Sequence, residues 1–424
     1  MKIHDEGQSP NSHRNRGQRQ DRRRIAIIIA SIVAILLMIF LLIKVVNAFS
    51  SSLGFEEPEN TVALESSGDA ASADDETATV TFMATGDNLI HNTIYEQAAA
   101  RAKGEGYDFS YAYEAVAPLL ADADLAFVNQ ETPVATAVFE PSNYPLFNTP
   151  SESVTALHDI GFNLFNLASN HTLDKGVKGM EATIDFIDSV PNSTNFGLYR
   201  NYTDEHTPRL VEVNGIVFAF IGVTEMTNGI PLPVDTEMDI VYTEQTDKIQ
   251  AMITEAEAQS DVVVLSVHWG DENVLAAADR QKEMAADYAA MGADLIIGHH
   301  PHVLQEIETI VTDDGREVPV VYSLGNFISA MSNKSNHIGG LFGCTITQDP
   351  QNDTIVIDNL SFTPLINYFT AGYDNMRVIP FSDFTDEMAA AHGLGITRDY
   401  VNDILAETVG VELLNGAKAA DSPE

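Results

Sequence analysis

This sequence of 424 residues is poor in basic side chains and has a single cysteine. Cys344 has no second thiol to pair with, which excludes an intramolecular disulfide, and we expect it to be buried in an apolar strand. The 22 lysines and arginines are outnumbered by 62 aspartates and glutamates, so the formal net charge is −40. Because such a surface repels nucleic acid and anionic headgroups, we predict no nucleic-acid partner. A Gly-x-x-x-x-Gly-Lys phosphate loop is also missing, which disfavours amide-bond formation driven by ATP.

Long apolar runs are confined to Ile25–Ile43, where Ser31 is the single polar residue. A helix of this length spans about 28 Å, close to the thickness of the hydrocarbon core of a bilayer. Basic residues predominate in residues 1–24, so the positive-inside rule predicts that this segment is cytoplasmic. We therefore predict an uncleaved single-pass transmembrane anchor over residues 25–46 and an extracytoplasmic main domain at the cell membrane. A cleaved signal peptide is the alternative, although its apolar region is usually shorter.

The rest of the chain divides by composition into three parts. Residues 47–77 are rich in Ser, Glu, Asp, Ala and Gly, which predicts a flexible acidic linker. No repeat or second linker divides residues 78–410, so we predict one large domain there, followed by a disordered tail over residues 411–424. Within the domain, apolar runs rich in Val, Ile and Phe alternate with helical patterns, which predicts an α/β fold. Gly340–Thr347 and Thr354–Phe362 predict a later antiparallel portion.

Five short polar segments each follow an apolar run in this domain. They supply carboxylate, carboxamide or imidazole groups, and loops at strand ends can bring such groups together. The segments are Gly86–Asn88, Asn129–Glu131, Ser169–His171, His268–Gly270 and Gly298–His302. Taken singly, the alternatives are a helix cap at Asp87, an ordinary turn around Glu131, a helix N-cap at Asn170 and a core histidine at His268. Together, the five segments favour a metal centre.

Two of the segments indicate individual roles. Asn170 offers a neutral carbonyl ligand, and the adjacent His171 is a candidate proton donor whose ring Asp174 can orient. Glu272 is a candidate hydrogen-bond acceptor for the ring of His268, four residues earlier.

The segment Gly298–His302 gives the most specific signal, since three of its five residues are histidines. Pro301 keeps the preceding residue out of the helical region, which predicts an extended segment. His300 and His302 would then chelate from one face, with His299 pointing the other way. This oxygen-rich set with imidazoles suits Mn, Fe or Zn, and we expect two divalent ions bridged by a carboxylate.

The motifs resemble those of the bacterial capsule synthesis protein CapA family. The resemblance covers about residues 78–327 and includes, in order, Thr85-Gly86-Asp87, Asn129-x-Glu131, Ser169-Asn170-His171, His268-Trp269-Gly270-x-Glu272, Gly298-His299-His300-Pro301-His302 and Ser323-Leu324-Gly325-Asn326-Phe327. It implies a membrane-anchored protein that supports the biosynthesis or export of poly-γ-glutamate or a related capsule polymer. Other capsule synthase subunits are the implied partners.

That family in turn is similar to calcineurin-like metallophosphatases, which implies an αββα sandwich of mixed sheets flanked by helices. The implied metal ligands are Asp87, Glu131, Asn170, His268, His300 and His302, and His171 is implied to assist departure of the leaving group. One difference is that the metallophosphatase pattern has Asp-x-His in its first motif, whereas Asn88-Leu89 follows Asp87 here. Either a ligand is missing or His91 replaces it.

These motifs are compatible with two functions. The first is a metal-dependent hydrolase of phosphoesters within capsule assembly. The second is a non-catalytic, metal-containing scaffold or a subunit of a capsule synthase that binds an anionic polymer.

The predicted topology can be tested on intact cells. Added protease should degrade the domain after Phe49, because the basic cluster before Ile25 keeps the N-terminus inside. The measurement is immunodetection of both ends, with a cytoplasmic marker protein as the control for lysis. Protection of the domain in unlysed cells would show the opposite orientation.

Overall fold

The computed structural model describes residues 61–63, 77–349, 354–410 and 413–414. The predicted segments 1–24 and 25–46, most of the linker and nearly all of the tail lie outside these residues. Within the described ranges, no helix combines the length and the apolar character needed to cross a bilayer. Thr61–Ala63, which falls inside the predicted linker, forms a short strand, so the linker prediction does not account for these three residues.

Strands and helices alternate along most of the described chain. The strands are β1 (Thr61–Ala63), β2 (Ala78–Asn88), β3 (Leu125–Asn129), β4 (Leu164–Asn166), β5 (Thr194–Phe196), β6 (Arg209–Val213), β7 (Ile216–Thr224), β8 (Val262–His268), β9 (Leu295–His299), β10 (Ile307–Val311), β11 (Glu317–Val321), β12 (Asn326–Ile328), β13 (Ile338–Asp349), β14 (Thr354–Thr370) and β15 (Asp374–Pro380). The α-helices are α1 (Asn92–Ala102), α2 (Ser110–Tyr113), α3 (Glu152–Asp159), α4 (Gly176–Asp188), α5 (Tyr202–Glu205), α6 (Thr246–Glu257), α7 (Asp279–Met291), α8 (Asp386–Ala391) and α9 (Arg398–Thr408). Short 3₁₀ helices cover Ala117–Leu119, Lys334–His337, Ala371–Tyr373 and Phe381–Asp383.

The strands form two mixed sheets. Sheet A has the order β1-β6-β7-β8-β9-β11-β10, and its central strands from β7 to β11 are parallel. Sheet B has the order β15-β14-β13-β2-β3-β4-β5, with β12 paired to β2. Its strands from β2 to β5 are parallel, whereas β13, β14 and β15 add an antiparallel portion. The predicted α/β class, the mixed sheets and the later antiparallel pair are confirmed.

The alternation of side chains along the strands produces four layers. In β8, Val262 and Val264 face a core shared by both sheets, whereas Val263 and Leu265 face a second core beneath α6 and α7. A third core lies between sheet B and the helices α1 to α4. Strands covered on both faces are continuously apolar, and all seven residues of β8 are buried. The order of layers is therefore helices, sheet, sheet, helices.

The parallel strands of the two sheets end on the same side of the molecule. Asp87 lies at the end of β2, and its N–H donates to Gly325 O at 3.0 Å. Gly86 permits this approach, because a Cβ there would lie 1.8 Å from Gly325 O. The end of β2 is thereby held against the loop that precedes β12.

This close approach predicts a large effect of a small substitution. Gly86→Ala should destabilise the fold by about 2–4 kcal/mol, because its methyl group overlaps backbone rather than a movable side chain. Gly104→Ala is the matched control, since its Cβ would have no heavy atom closer than 3.8 Å. Denaturant unfolding of both variants measures the difference. Equal free energies of unfolding for the two variants would contradict this account of β2.

Candidate metal centre

Three buried side chains from different loops and strands meet at the ends of the two sheets. Asp87 comes from β2, Glu131 from the loop after β3 and His302 from the loop after β9. Each offers a ligand atom within 4.8 Å of the others, and none is more than 2 % exposed. Two carboxylates and one imidazole in this arrangement can hold a divalent cation.

Asp87 is the best-connected member of this group. Its Oδ1 accepts a hydrogen bond from Asn129 Nδ2 at 2.8 Å, and its Oδ2 lies 3.0 Å from His302 Nδ1. Burial alone would raise the pKa of Asp87, but the neighbouring imidazoles of His299 and His302 lower it well below its usual range. The carboxyl group is therefore ionised and fixes the orientation of the His302 ring.

The Nδ1 atom of His302 is held by hydrogen bonds to neighbouring side chains. Asn326 Oδ1 also lies 3.0 Å from Nδ1, so Nδ1 carries a proton between two acceptors. The other nitrogen, Nε2, lies 3.7 Å from Glu131 Oε1. Burial opposes the charged form, but the charges of Glu131 and Asp87 raise the pKa of His302 to about 10. A cation at Nε2 would take the place of that second proton.

Glu131 provides the observation that tests whether a metal fits. The side chain is 1 % exposed, and neither carboxylate oxygen has a hydrogen-bond partner among the described residues. Burial raises the pKa of Glu131 well above its usual range. A buried carboxyl group without hydrogen-bond partners is costly, and a divalent cation would satisfy both oxygens. The donor set therefore fits a metal ion.

Three further predicted ligands extend the group. His268 closes β8, and its Nε2 lies 3.0 Å from Asn170 Oδ1. The rings of His268 and His300 have centroids 4.9 Å apart, and neither Nδ1 atom has a hydrogen-bond partner in the described chain. Burial lowers the pKa of His268 well below its usual range and that of His300 to about 3. Both imidazoles are neutral at pH 7 and so keep the lone pairs that bind metals.

The backbone around Pro301 differs from the sequence prediction. His300 and His302 have φ angles of 96° and 58°, so the prediction of an extended segment is wrong. The rings nevertheless reach the same place, with centroids 5.7 Å apart. Left-handed backbone costs about 1–3 kcal/mol per residue for side chains other than glycine and persists where surrounding bonds impose it. Here Trp269 N donates to His299 O at 3.0 Å and Asn273 N donates to Pro301 O at 2.8 Å.

His299 does not point away from the centre as the extended geometry predicted. It is fully buried, its ring stacks on Phe127 at 5.3 Å, and its Nδ1 lies 3.5 Å from Asp87 Oδ1. The prediction of its direction is wrong because the strand β9 turns the side chain into the core between the sheets. His299 thus supports Asp87 from behind.

His171 and Asp174 lie at the rim of the centre. His171 Nδ1 is 2.7 Å from Asp174 Oδ2, which also accepts a hydrogen bond from Phe147 N at 2.7 Å. The edge of the His171 ring meets Phe147 at a centroid distance of 4.8 Å. A cavity of about 370 Å³ adjoins the pair and is lined by Tyr144, Asn170, His171, Asp174, Asn228 and Glu272, among others. The ring is therefore held in place beside a space large enough for a small substrate.

Two residues fall outside the roles expected from sequence. Glu272 was expected to accept from the ring of His268, but it instead groups with His300 and His302, each offering a ligand atom within 4.8 Å of the others. That prediction is wrong because the loop after β8 turns Glu272 toward the neighbouring loop. Asn326, which supports His302, carried no predicted role although its motif was recognised.

The first motif lacks a second ligand. Leu89 is apolar and buried, and Asn88 is bonded to Gln130 Oε1 at 2.7 Å within the core. His91 belongs to neither candidate group, and its Nδ1 lies 3.1 Å from Leu89 O and 3.2 Å from Ala330 N. Burial lowers the pKa of His91 to about 4. One side of the centre is consequently short of a donor.

Comparison with known proteins agrees with the motifs. The family described as "Bacterial capsule synthesis protein PGA_cap" matches residues 81–331, a range that includes every candidate ligand. The chain belongs to this family. It is 32 % identical over 251 residues to the PGA biosynthesis protein CapA of Bacillus subtilis (strain 168), which covers 55 % of this chain and 60 % of that protein. It is 29 % identical over 235 residues to the capsule biosynthesis protein CapA of Bacillus anthracis, covering 52 % and 54 %.

The match thus spans less than two thirds of either relative. Among solved structures, a novel phosphatase from Mycoplasma pneumoniae is similar with a TM-score of 0.41 and 11 % identity, covering 69 % of this chain and 95 % of that one. A putative 5'-nucleotidase from Staphylococcus aureus in complex with α-ketoglutarate is similar with a TM-score of 0.42 and 13 % identity, covering 71 % and 54 %. Both TM-scores are below 0.5.

The geometry predicts which histidines hold metal. His300→Ala and His302→Ala should each strip bound Mn²⁺, because each removes a nitrogen from the centre, whereas His299→Ala should do so much less. Metal content after dialysis, measured by mass spectrometry, checks this, with exposed His206→Ala as the control. Unchanged stoichiometry in all three variants would show that the centre is wrongly placed.

Proposed function

We propose that this chain is a membrane-anchored, extracytoplasmic CapA-type protein that supports poly-γ-glutamate or related capsule biosynthesis or export through a metal-dependent phosphoesterase-like site. Membership of the capsule synthesis family supports the biological role. The observation that carries the chemical role is the buried carboxyl group of Glu131, whose oxygens have no hydrogen-bond partner in the described residues and lie beside the His302 imidazole. The apolar run before residue 47 and the basic residues ahead of it support the membrane placement.

The proposed ligands are the six side chains named from the motifs. Two divalent ions, Mn, Fe or Zn, would be held by Asp87, Glu131, Asn170, His268, His300 and His302. Such ions, when bound, supply Lewis-acid polarisation of a phosphoryl oxygen and activation of water. Asp87 and Asn326 orient His302, and Asn129 orients Asp87, so the protein fixes the ligands before a metal binds.

His171 is the proposed proton donor. In hydrolysis of a phosphoester, water forms the new bond to phosphorus and the bond to the leaving oxygen breaks. Asp174 holds His171 at Nδ1, which leaves Nε2 to deliver a proton to that oxygen. Asp174 is itself fixed by the backbone N–H of Phe147, so the ring is oriented before substrate arrives.

Charge limits how such a protein handles an acidic polymer. The 400 residues after residue 24 carry most of the 62 acidic side chains, and a polyanion is repelled over about a Debye length, roughly 8 Å in physiological salt. Contact with poly-γ-glutamate or a phosphoester is therefore proposed to occur at the metal centre, where a cation inverts the local charge. Other capsule synthase subunits are the proposed protein partners.

A non-catalytic role is the second candidate. It is favoured by the missing donor in the first motif, where Leu89 is apolar and His91 is bonded elsewhere. A centre with one deficient side can hold metal for structure or for polymer binding without efficient hydrolysis. In that case the domain would act as a scaffold of the capsule synthase.

The two roles differ in their response to one substitution. His171→Ala should lower kcat for a generic aryl phosphate by about 10²–10⁴-fold, because it removes the proton donor. Its metal content should stay unchanged, since His171 is outside both candidate metal groups. His206→Ala, at an exposed histidine, is the control. If the metal-loaded wild-type protein shows no hydrolysis at all, the scaffold role replaces the hydrolase.

A further inference from the structure

Glu272 is an exposed acidic residue in an unusual position. It lies in the loop after β8 and lines the same cavity as Asn170 and His171. It offers a carboxylate oxygen within 4.8 Å of ligand nitrogens of both His300 and His302. Exposed acidic side chains are common, so a role for Glu272 requires that the fold hold it beside the two histidines.

The backbone on both sides of Glu272 is bonded to the segment that carries the two histidines. Trp269 N donates to His299 O at 3.0 Å, and Asn273 N donates to Pro301 O at 2.8 Å. Asn273 has a φ of 65°, and its Oδ1 accepts a hydrogen bond from Asn336 Nδ2 at 2.8 Å. The loop is therefore fixed against the histidine segment, and Glu272 is held beside it.

The charged side chains around this loop form no direct hydrogen bond or ion pair with Glu272 among the described residues. The neighbouring Asp271 is bound by Arg280 through two contacts of 2.8 and 3.1 Å. Glu272 itself makes no hydrogen bond or ion pair within the described residues. The nearby His300 is 4 % exposed, and its Nδ1 has no partner among those residues either. An oxygen donor and a buried nitrogen donor thus lie side by side, both available.

We propose that Glu272 is a metal ligand on the solvent-facing side of the centre, acting with His300 and His302. The first motif gives no donor beyond Asp87, because Leu89 is apolar. Glu272 supplies a carboxylate to a centre that is short of ligands. The metal position on the solvent-facing side then has both nitrogen and oxygen donors. Such a set suits Mn²⁺ or Zn²⁺. This inference rests on the proposed metal centre and adds one ligand to it.

The test compares two single substitutions in adjacent positions of the full-length chain. Glu272→Gln removes a charge and a strong ligand with little change in shape, whereas Asp271→Asn removes a charge from the same loop without removing a proposed ligand. Mn²⁺ binding is measured by titration followed by electron paramagnetic resonance, and metal content by mass spectrometry. Thermal melts of the metal-free variants establish that both are folded.

We expect Glu272→Gln to lose one Mn²⁺ equivalent or to bind it at least about tenfold more weakly, and Asp271→Asn to bind within about twofold of wild type. Wild-type stoichiometry and affinity in Glu272→Gln would overturn the inference and leave the remaining centre intact. Equal weakening in both variants would also overturn it, because the effect would then be one of charge alone. If the wild-type protein binds no Mn²⁺, the proposed centre fails together with the ligand.

Discussion

The contact between Asp87 and His302 is the interaction on which the rest of the centre depends. Asp87 belongs to β2 of sheet B, and His302 follows β9 of sheet A, so a contact of 3.0 Å joins the ends of the two sheets. It directs Nε2 of His302 toward Glu131. Asn129 and Asn326 bond to the two partners and hold the pair in place. Loss of this contact would separate the ligands contributed by the two sheets.

The centre concentrates features that are costly in a folded protein. Glu131 is buried without a hydrogen-bond partner in the described chain, and His300 and His302 both have left-handed backbone. Neighbouring bonds from Trp269 and Asn273 impose the backbone geometry. Buried, unpartnered donors and strained backbone occur together where a protein prepares a site for a ligand. A divalent cation would offset the first of these costs, which couples metal binding to the stability of this end of the molecule.

The sequence predicted which residues meet at the metal centre better than it predicted their backbone conformation and side-chain directions. Asp87, Glu131 and His268 could be assigned because each ends an apolar run, and the ends of parallel strands meet. The direction of His299 and the backbone of His300 could not be assigned in this way. The direction of His299 depends on its packing against Phe127 and Asp87, and the backbone of His300 depends on hydrogen bonds to the loop after β8; all of these partners are distant in the sequence. The residue before a proline favours extended backbone, but this is only one of several allowed φ/ψ regions. At His300, tertiary contacts select a left-handed conformation instead.

The same limit applies to Glu272 and to the short strand β1. Glu272 is four positions after His268, which suggested a contact between their side chains. Instead, the hydrogen bond from Asn273 N to Pro301 O places Glu272 beside His300. The composition around Thr61–Ala63 favours a linker, yet pairing with β6 gives these residues extended structure. Composition describes what a segment can do alone, whereas an available sheet edge decides what it does in the fold.

The most direct test of the metal centre is the position of a bound ion. Crystals of the protein grown with Mn²⁺ should show anomalous density with Glu131, His300 and His302 within coordinating distance. Such density would show that the unpartnered carboxylate is a metal ligand. Its absence at saturating Mn²⁺, or density bound by other residues while Glu131 stays uncoordinated, would contradict the account.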